Sequence, residues 1–161
     1  MGRSRGGWGT KFHLVTDGQG TPLAVGVTAG QRHESTQFEL IVEAVPLRRG
    51  QWPDRLAGDK GYSAKRIRQW LGARNIGDAI PTRTDEQRSR RERSFLQESY
   101  RRRNVVERCV GWLKEARRIA TRFEKLAINY LAMLKLAMIG RYLRLAGRTP
   151  ESPCGQACLS Q

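Results

Sequence analysis

Apolar and polar positions alternate over residues 11–16, with Phe12 and Leu14 set against Lys11 and His13. That is the period of a half-covered strand. Residues 22–28 continue the pattern through Leu23, Val25 and Val27. Between them, Asp17-Gly18-Gln19-Gly20 supplies turn residues and positive-φ positions, so the segment predicts a β-hairpin. Residues 29–34 read as a loop. The spacing then changes: Phe38, Leu40, Ile41, Val42 and Val45 predict a helix over 35–45, with Ser35 as its N-cap. Residues 55–59 predict a short strand that ends on Asp59, and Lys60-Gly61-Tyr62 turns away from it. Ser63 is expected to cap a helix with Ile67, Trp70 and Leu71 on one face, ending near Asn75 and Gly77. Residues 78–81 predict another short strand, stopped by Pro81.

Residues 82–94 are dense in Arg and lack an apolar period, which predicts a loop. Helix resumes near Phe95 or Ser99 and runs to about Arg118; a last long helix covers 126–145. Residues 1–10 read as a flexible basic lead-in and 147–161 as a disordered tail. The order of hairpin, helix, strand, helix, strand, helices predicts one α/β domain over 11–146, built around a mixed sheet.

The helix beyond residue 99 is the most informative segment. Its Tyr100, Arg103, Glu107 and Lys114 have the spacing Y-x2-R-x3-E-x6-K. At about 100° per residue, Glu107, Lys114 and Tyr100 fall near ~40°, ~20° and ~60° from Arg103. Val105, Val106, Cys109, Val110 and Leu113 take the other side. A carboxylate flanked by cations on one stripe suits a metal ion and a phosphate better than a core.

Charge strengthens that picture. The 161 residues hold 30 Lys and Arg against 15 Asp and Glu, a net +15. Such an excess points to a polyanionic partner, with DNA or RNA the default. Three cysteines are too few for a disulfide framework and fit a reducing cytosol. Cys154 and Cys158 have no further ligand nearby in sequence, and His13 and His33 are distant, which argues against a zinc site. The apolar stretch 126–145 contains Lys135, Arg141 and Arg144 and reads as a packed helix rather than a membrane span. Residues 1–10 lack the apolar run of a signal peptide.

Asp59 closes a strand, so its carboxylate stands at the sheet's carboxyl edge, where α/β layers bind ligands. With Ser63 assigned as the helix cap, Asp59 is left for function. Asp59 and Glu107 together look like two of three metal ligands. Two-metal phosphoryl transfer needs such hard oxygens. Arg103 and Lys114 would then take flanking phosphates.

Three segments carry a resemblance to a known family: GRSRGGWGTKFHLVTDGQGTPLAVGVTAGQRHES, LAGDKGYSAKRIRQWL and YRRRNVVERCVGWLKEARRIATRFEK. The chain resembles bacterial insertion-sequence transposases of the DDE class, over residues 2–145, with the signature intact as Tyr100, Arg103, Glu107 and Lys114. The resemblance implies an RNase H-like core, with Asp59 as the second catalytic Asp and Glu107 as the catalytic Glu. It also implies Mg²⁺ or Mn²⁺ as cofactor and DNA, both transposon ends and target, as partner. The family's first Asp lies on a strand upstream of the GRSRGG segment, and no residue here matches it. Asp17 is the tempting substitute, but Asp-Gly in a hairpin is ordinary turn chemistry. The expectation is therefore a C-terminal transposase portion, inactive alone, whose hairpin lacks a sheet neighbour and whose partner is a second copy or a complementing transposase chain.

Arg101, Arg102, Arg108, Arg117, Arg118 and Arg122 extend the basic surface around Glu107 and are expected to touch phosphates. Arg83, Arg88, Arg90, Arg91 and Arg93 are further DNA candidates. Trp8, Trp52, Trp70 and Trp112 read mainly as packing, and His33 as a structural loop residue. Two other readings stand beside the transposase: a DNA-binding remnant that inhibits an intact enzyme, and a generic basic RNA-associated protein. An acid inside the basic helix argues against the last.

Overall fold

A single long strand, β2 (Gly7–Asp17), organises the sheet. The computed structural model describes residues 2–4, 7–47, 51–82, 101, 103–146 and 156–160. The predicted hairpin is present: β2 pairs antiparallel with β3 (Pro22–Ala29), from Thr10 opposite Ala29 to Thr16 opposite Pro22, with a register shift at Val15/Thr16. The start of β2 also pairs antiparallel with β1 (Gly2–Ser4). Residues 2–4 and 7–10 are therefore paired strand and not the flexible lead-in expected from their Gly and Arg content. Backbone pairing needs no apolar side chain, so composition gave no warning.

Two short parallel strands, β4 (Arg55–Ala57) and β5 (Gly77–Ala79), lie across the sheet. Between β2 and β4 runs β6 (Gln156–Ser160), antiparallel to β2 and parallel to β4. The six-stranded sheet thus runs β1-β2-β6-β4-β5, with β3 on β2. Two expectations fall here. Residues 156–160 are strand, not disordered tail, and the hairpin does have a neighbour. The segment reads as polar tail because five residues cannot show a period, and its pairing comes from a part of the chain far away.

Helices cover both faces. On one, α1 (Phe38–Glu43) and α2 (Lys65–Gly72) pack Phe38, Ile41, Val42, Ile67 and Leu71 on Val15, Leu56, Tyr62 and Leu159. On the other, α3 (Asn104–Glu115), α4 (Arg117–Ala120) and α5 (Ala127–Ala146) cover Phe12, Leu14, Ala57 and Ala79 with Val106, Cys109, Leu113, Ile119, Tyr130 and Leu134. The architecture is mixed α/β, as the order of elements implied. Burial of both faces explains why the β2 alternation is weak. It also overturns the reading of His13 as a polar-face residue: it is 1% exposed.

Local details differ as well. The helix expected over 35–45 is a 3-10 turn at Glu34–Thr36 followed by α1, and its cap is His33, which accepts from the Ser35 N–H. α2 starts after Ala64 without a side-chain cap. Ser63 is buried instead, its Oγ accepting from Arg68 Nη2 at 3.1 Å. The helix expected to reach Arg118 breaks at Ala116, which is extended (ψ 104°), before α4. Among the described residues no helix is long and apolar enough to cross a membrane. The expected loop of Arg83, Arg88, Arg90, Arg91 and Arg93 lies outside the described residues.

Candidate active site

The end of β4 and the start of α3 meet at one guanidinium. Asp59 follows β4 after Gly58, and Arg103 immediately precedes Asn104, the first residue of α3. Arg103 Nη1 lies 3.5 Å from Asp59 Oδ1, and Nη2 donates to Glu107 Oε1 at 2.5 Å. The two carboxylates, 48 residues apart along the chain, are thereby held by a single cation. The helix lies on the sheet because Val106, Cys109, Val110 and Leu113 are buried against it; this leaves Glu107 on the solvent side. The Arg103 side chain is largely covered (16% exposed) while that of Glu107 is half open (51%).

Asp59 has a second duty. Its Oδ1 accepts from the Lys60 N–H at 2.5 Å, capping the 3-10 turn Lys60–Tyr62. This corrects the argument from Ser63, since the strand-end acid caps its own turn. Capping uses one lone pair of one oxygen, and a carboxylate offers about four such sites. It does not compete with ligand binding, but its presence is no longer unexplained.

The turn after Asp59 is locked from below. Tyr62 is fully buried, and its Oη lies 3.0 Å from His13 Nδ1, whose Nε2 lies 2.9 Å from Thr28 Oγ1. Burial lowers the His13 pKa, only partly countered by Glu34, and Lys11 lowers it further. Burial raises that of Tyr62, with Glu34 and Asp59 adding to the rise. Glu34 is tucked against Gly61, where an added Cβ would lie 3.2 Å from its Oε2. Burial alone would raise the Glu34 pKa, yet its pairing with Lys11 Nζ leaves it lowered. None of His13, Tyr62, Glu34 and Lys11 stands out by composition. The available signal was their clustering in the segments KFH, RHES and GDKGY.

Other expected residues fall as follows. Lys114, Arg108, Arg117 and Arg118 are exposed on α3 and α4, as is Arg101 just before them. Arg118 lies 3.9 Å from Glu124. Arg122 is turned inward, its Nε donating to the Glu124 carbonyl and its guanidinium 5.3 Å from the Tyr130 ring. It is a packing residue rather than part of the open basic face. Tyr100 and Arg102 lie outside the described residues. Asp17 is a turn residue, its Oδ1 accepting from the N–H groups of Gln19 and Thr21. Trp52 and Trp70 pack edge to face, and Arg74 stacks 3.8 Å above Trp70. Cys109 is buried, which pushes its thiol up to about 11. Among the described residues no group of three His, Cys, Asp or Glu side chains is placed to hold a metal.

Comparison with known sequences decides the family. A model of the transposase DDE domain matches residues 2–139. This chain belongs to the DDE transposase family. It is similar to a putative transposase for insertion sequence element IS402 of Burkholderia cepacia, 37% identical over 134 residues. That match takes in 80% of this chain and 60% of the relative, so the chain spans less than two thirds of that transposase. No solved structure matches. The two carboxylates that share Arg103 lie within the residues matched by the family model.

Proposed function

We propose that this chain forms part of the catalytic domain of a DNA transposase, with an RNase H-like sheet whose β4 end and α3 start bring Asp59 and Glu107 to the scissile phosphate. The observation that carries this reading is the shared guanidinium of Arg103. Two acids converge where a basic surface is exposed. Their hard oxygens fit Mg²⁺ or Mn²⁺, which takes one or two carboxylates and completes its shell with water and phosphate. Asp59 and Glu107 would hold the metal, which when bound supplies charge stabilisation to the transferred phosphoryl group. Arg103 neutralises the pair in the absence of metal and offers its fork to a phosphate in its presence. Tyr100, Arg101, Arg102, Arg108, Lys114, Arg117 and Arg118 would position the DNA backbone through phosphate contacts, which fix register without reading sequence.

The reaction supported is transposon end cleavage and strand transfer, carried out with a second copy or a complementing transposase chain. The exposed Arg108, Lys114, Arg117 and Arg118 support a second reading, a DNA-binding remnant that occupies transposon ends and inhibits an intact transposase. One experiment separates them from a plain polyanion binder. Binding of labelled duplex is measured with and without Mg²⁺, for the wild type and for Glu107→Ala. A metal dependence that vanishes in the variant, with metal-free affinity kept or raised, supports the carboxylate site. Equal behaviour of both proteins would overturn it. Strand transfer by the isolated chain at the rate of an intact transposase would overturn the second reading.

A further inference from the structure

α3 has two basic flanks, and the acid pair uses one of them. Val106, Cys109, Val110 and Leu113 form the buried arc that faces the sheet. By helical phase Glu107 lies on one side of that arc and Trp112 on the other, about 140° apart around the axis. On the Trp112 flank α3 meets α5. Trp112 is half-buried and packs on the core beneath α3. Arg141 and Arg144, both on α5, hold their guanidinium carbons 5.5 Å from the centroid of its ring. The two cations are therefore at most twice that distance apart. Arg108, one turn before Trp112, is exposed on the same flank.

This cluster of charge is not balanced from within. Among the described residues Arg108, Arg141 and Arg144 are in no ion pair. Arg141 reaches far enough inward to act on the buried Cys109 thiol, and its Nε is buried without a hydrogen-bond partner. Asp17 acts on Cys109 and on Tyr142, but its Oδ1 is taken by the N–H groups of Gln19 and Thr21. Glu115, three residues after Trp112, is exposed. Contact with a ring face engages the π electrons and spares the N–H donors of a guanidinium. The indole thus holds two arginines in place with donors left for an acceptor. Paired guanidinium forks fit the oxygens of a phosphate. The half-open ring adds a surface on which a sugar or base can rest.

We propose that Trp112, Arg141 and Arg144, extended by Arg108, form a second phosphate subsite that grips DNA backbone on the side of α3 away from Asp59 and Glu107. A helix with its side chains is about 10–12 Å across, so the phosphates held here are not those beside the acids. The subsite shares with the reading above only DNA as the ligand. It uses neither acid nor metal, and it holds DNA in the absence of divalent ions. Arg144, the exposed member, supplies the screened, salt-sensitive part of the contact, while Arg141, set deeper, fixes the position of the ring.

The test uses the full chain and a dye-labelled duplex, with anisotropy read over a salt series in chelator. Arg144→Gln should lower the slope of log affinity against log salt by about 1, and Arg144→Lys should keep it. Arg144 is exposed, so the variant should fold, and its thermal midpoint is measured alongside. A fall in midpoint with the slope unchanged would make the arginine a packing residue and overturn the subsite. The second readout is Trp112 itself, isolated as the difference in fluorescence between the wild type and Trp112→Phe. Saturating duplex should reduce acrylamide quenching of that signal at least twofold. Equal quenching with and without duplex would overturn the place of the ring in the site. Inorganic phosphate that shields Trp112 as fully as duplex at matched ionic strength would make this a small-anion site and overturn the assignment to DNA backbone. Binding of polyglutamate that depends on Arg144 as strongly as duplex binding does would make it a face for acidic proteins, with the same consequence. An Arg144-dependent slope in a protein whose DNA binding shows no metal dependence would sink the acid-pair reading and support this site. Metal-dependent binding with a slope independent of Arg144 would do the reverse.

Discussion

His13 Nδ1 and Tyr62 Oη lie 3.0 Å apart in the core, tying the middle of β2 to the turn that presents Asp59. Burial lowers the His13 pKa below its usual 6.5, opposed by Glu34 and assisted by Lys11. The folded state therefore binds fewer protons than the unfolded state. Stability is full above the unfolded value and falls as the pH drops through about 6.5 toward the folded pKa. His13→Gln should flatten the profile between about pH 7 and 5.5, measured by the urea midpoint at each pH. A wild-type midpoint independent of pH over that window would contradict the buried neutral imidazole. Glu34 acts lower. Its pKa is depressed, so its contribution is present above about 4.5 and is lost only as the pH falls through the depressed value. The two residues should separate as two steps in acid.

Gly20 has φ +85°, and an added Cβ would lie 3.0 Å from Val105 Cγ1. The hairpin turn thus packs against the residue between Asn104 and Val106 at the start of α3. Gly20→Ala should cost about 1–2 kcal/mol through the strained backbone and the displaced Val105. It should also weaken Mg²⁺-dependent DNA binding, because that end of α3 carries Arg103 and Glu107. A thermal scan and a binding titration on the same preparation check both. Loss of stability with metal dependence unchanged would show that the turn does not set the position of α3.

The hairpin, the two core helices and the α3 face were legible because each rests on local signals: turn residues, a 3.6-residue period, a run of Val, Cys and Leu. The meeting of Asp59 and Glu107 was legible through family resemblance and helical phase, since no local pattern links residues 48 apart. What stayed hidden was made by long-range pairing or burial. β6 has no periodicity of its own and is defined by its two neighbours. His13 sits on what looked like the polar side of a strand, and only the second helical layer turns that side into core. The capping role of Asp59 was missed because Ser63 appeared to fill it. Ser63 is spent on Arg68, which also pairs with Asp78 at 2.7 Å, a contact between α2 and β5 that no spacing rule contains.

Arg108 and Arg117 are exposed on α3 and α4, on the surface assigned to phosphate contact. Each phosphate neutralised contributes roughly 0.9 to the slope of log affinity against log salt. Arg108→Ala with Arg117→Ala should reduce that slope by about 2 and leave the thermal midpoint within roughly 2 °C, as befits solvated side chains. A fluorescence anisotropy series from low to moderate salt measures it. An unchanged slope would place the DNA on another face.

Arg103 is the cation between two acids, and its removal exposes what they want. With Arg103→Ala, Asp59 and Glu107 lose the guanidinium they share, and Glu107 lies on an open surface, so the cost in metal-free buffer should be modest: about 1 kcal/mol, or a fall of roughly 3 °C. If the two carboxylates are metal ligands, a divalent ion then replaces the guanidinium. Millimolar Mn²⁺ should restore the variant's midpoint and shift the wild type less, since in the wild type the ion has to compete with Arg103. Adding Glu107→Ala to the variant should abolish the Mn²⁺ response while leaving the chelated midpoint nearly unchanged. A variant whose midpoint is the same in Mn²⁺ and in chelator would show that the two acids serve the ion pair and the turn alone.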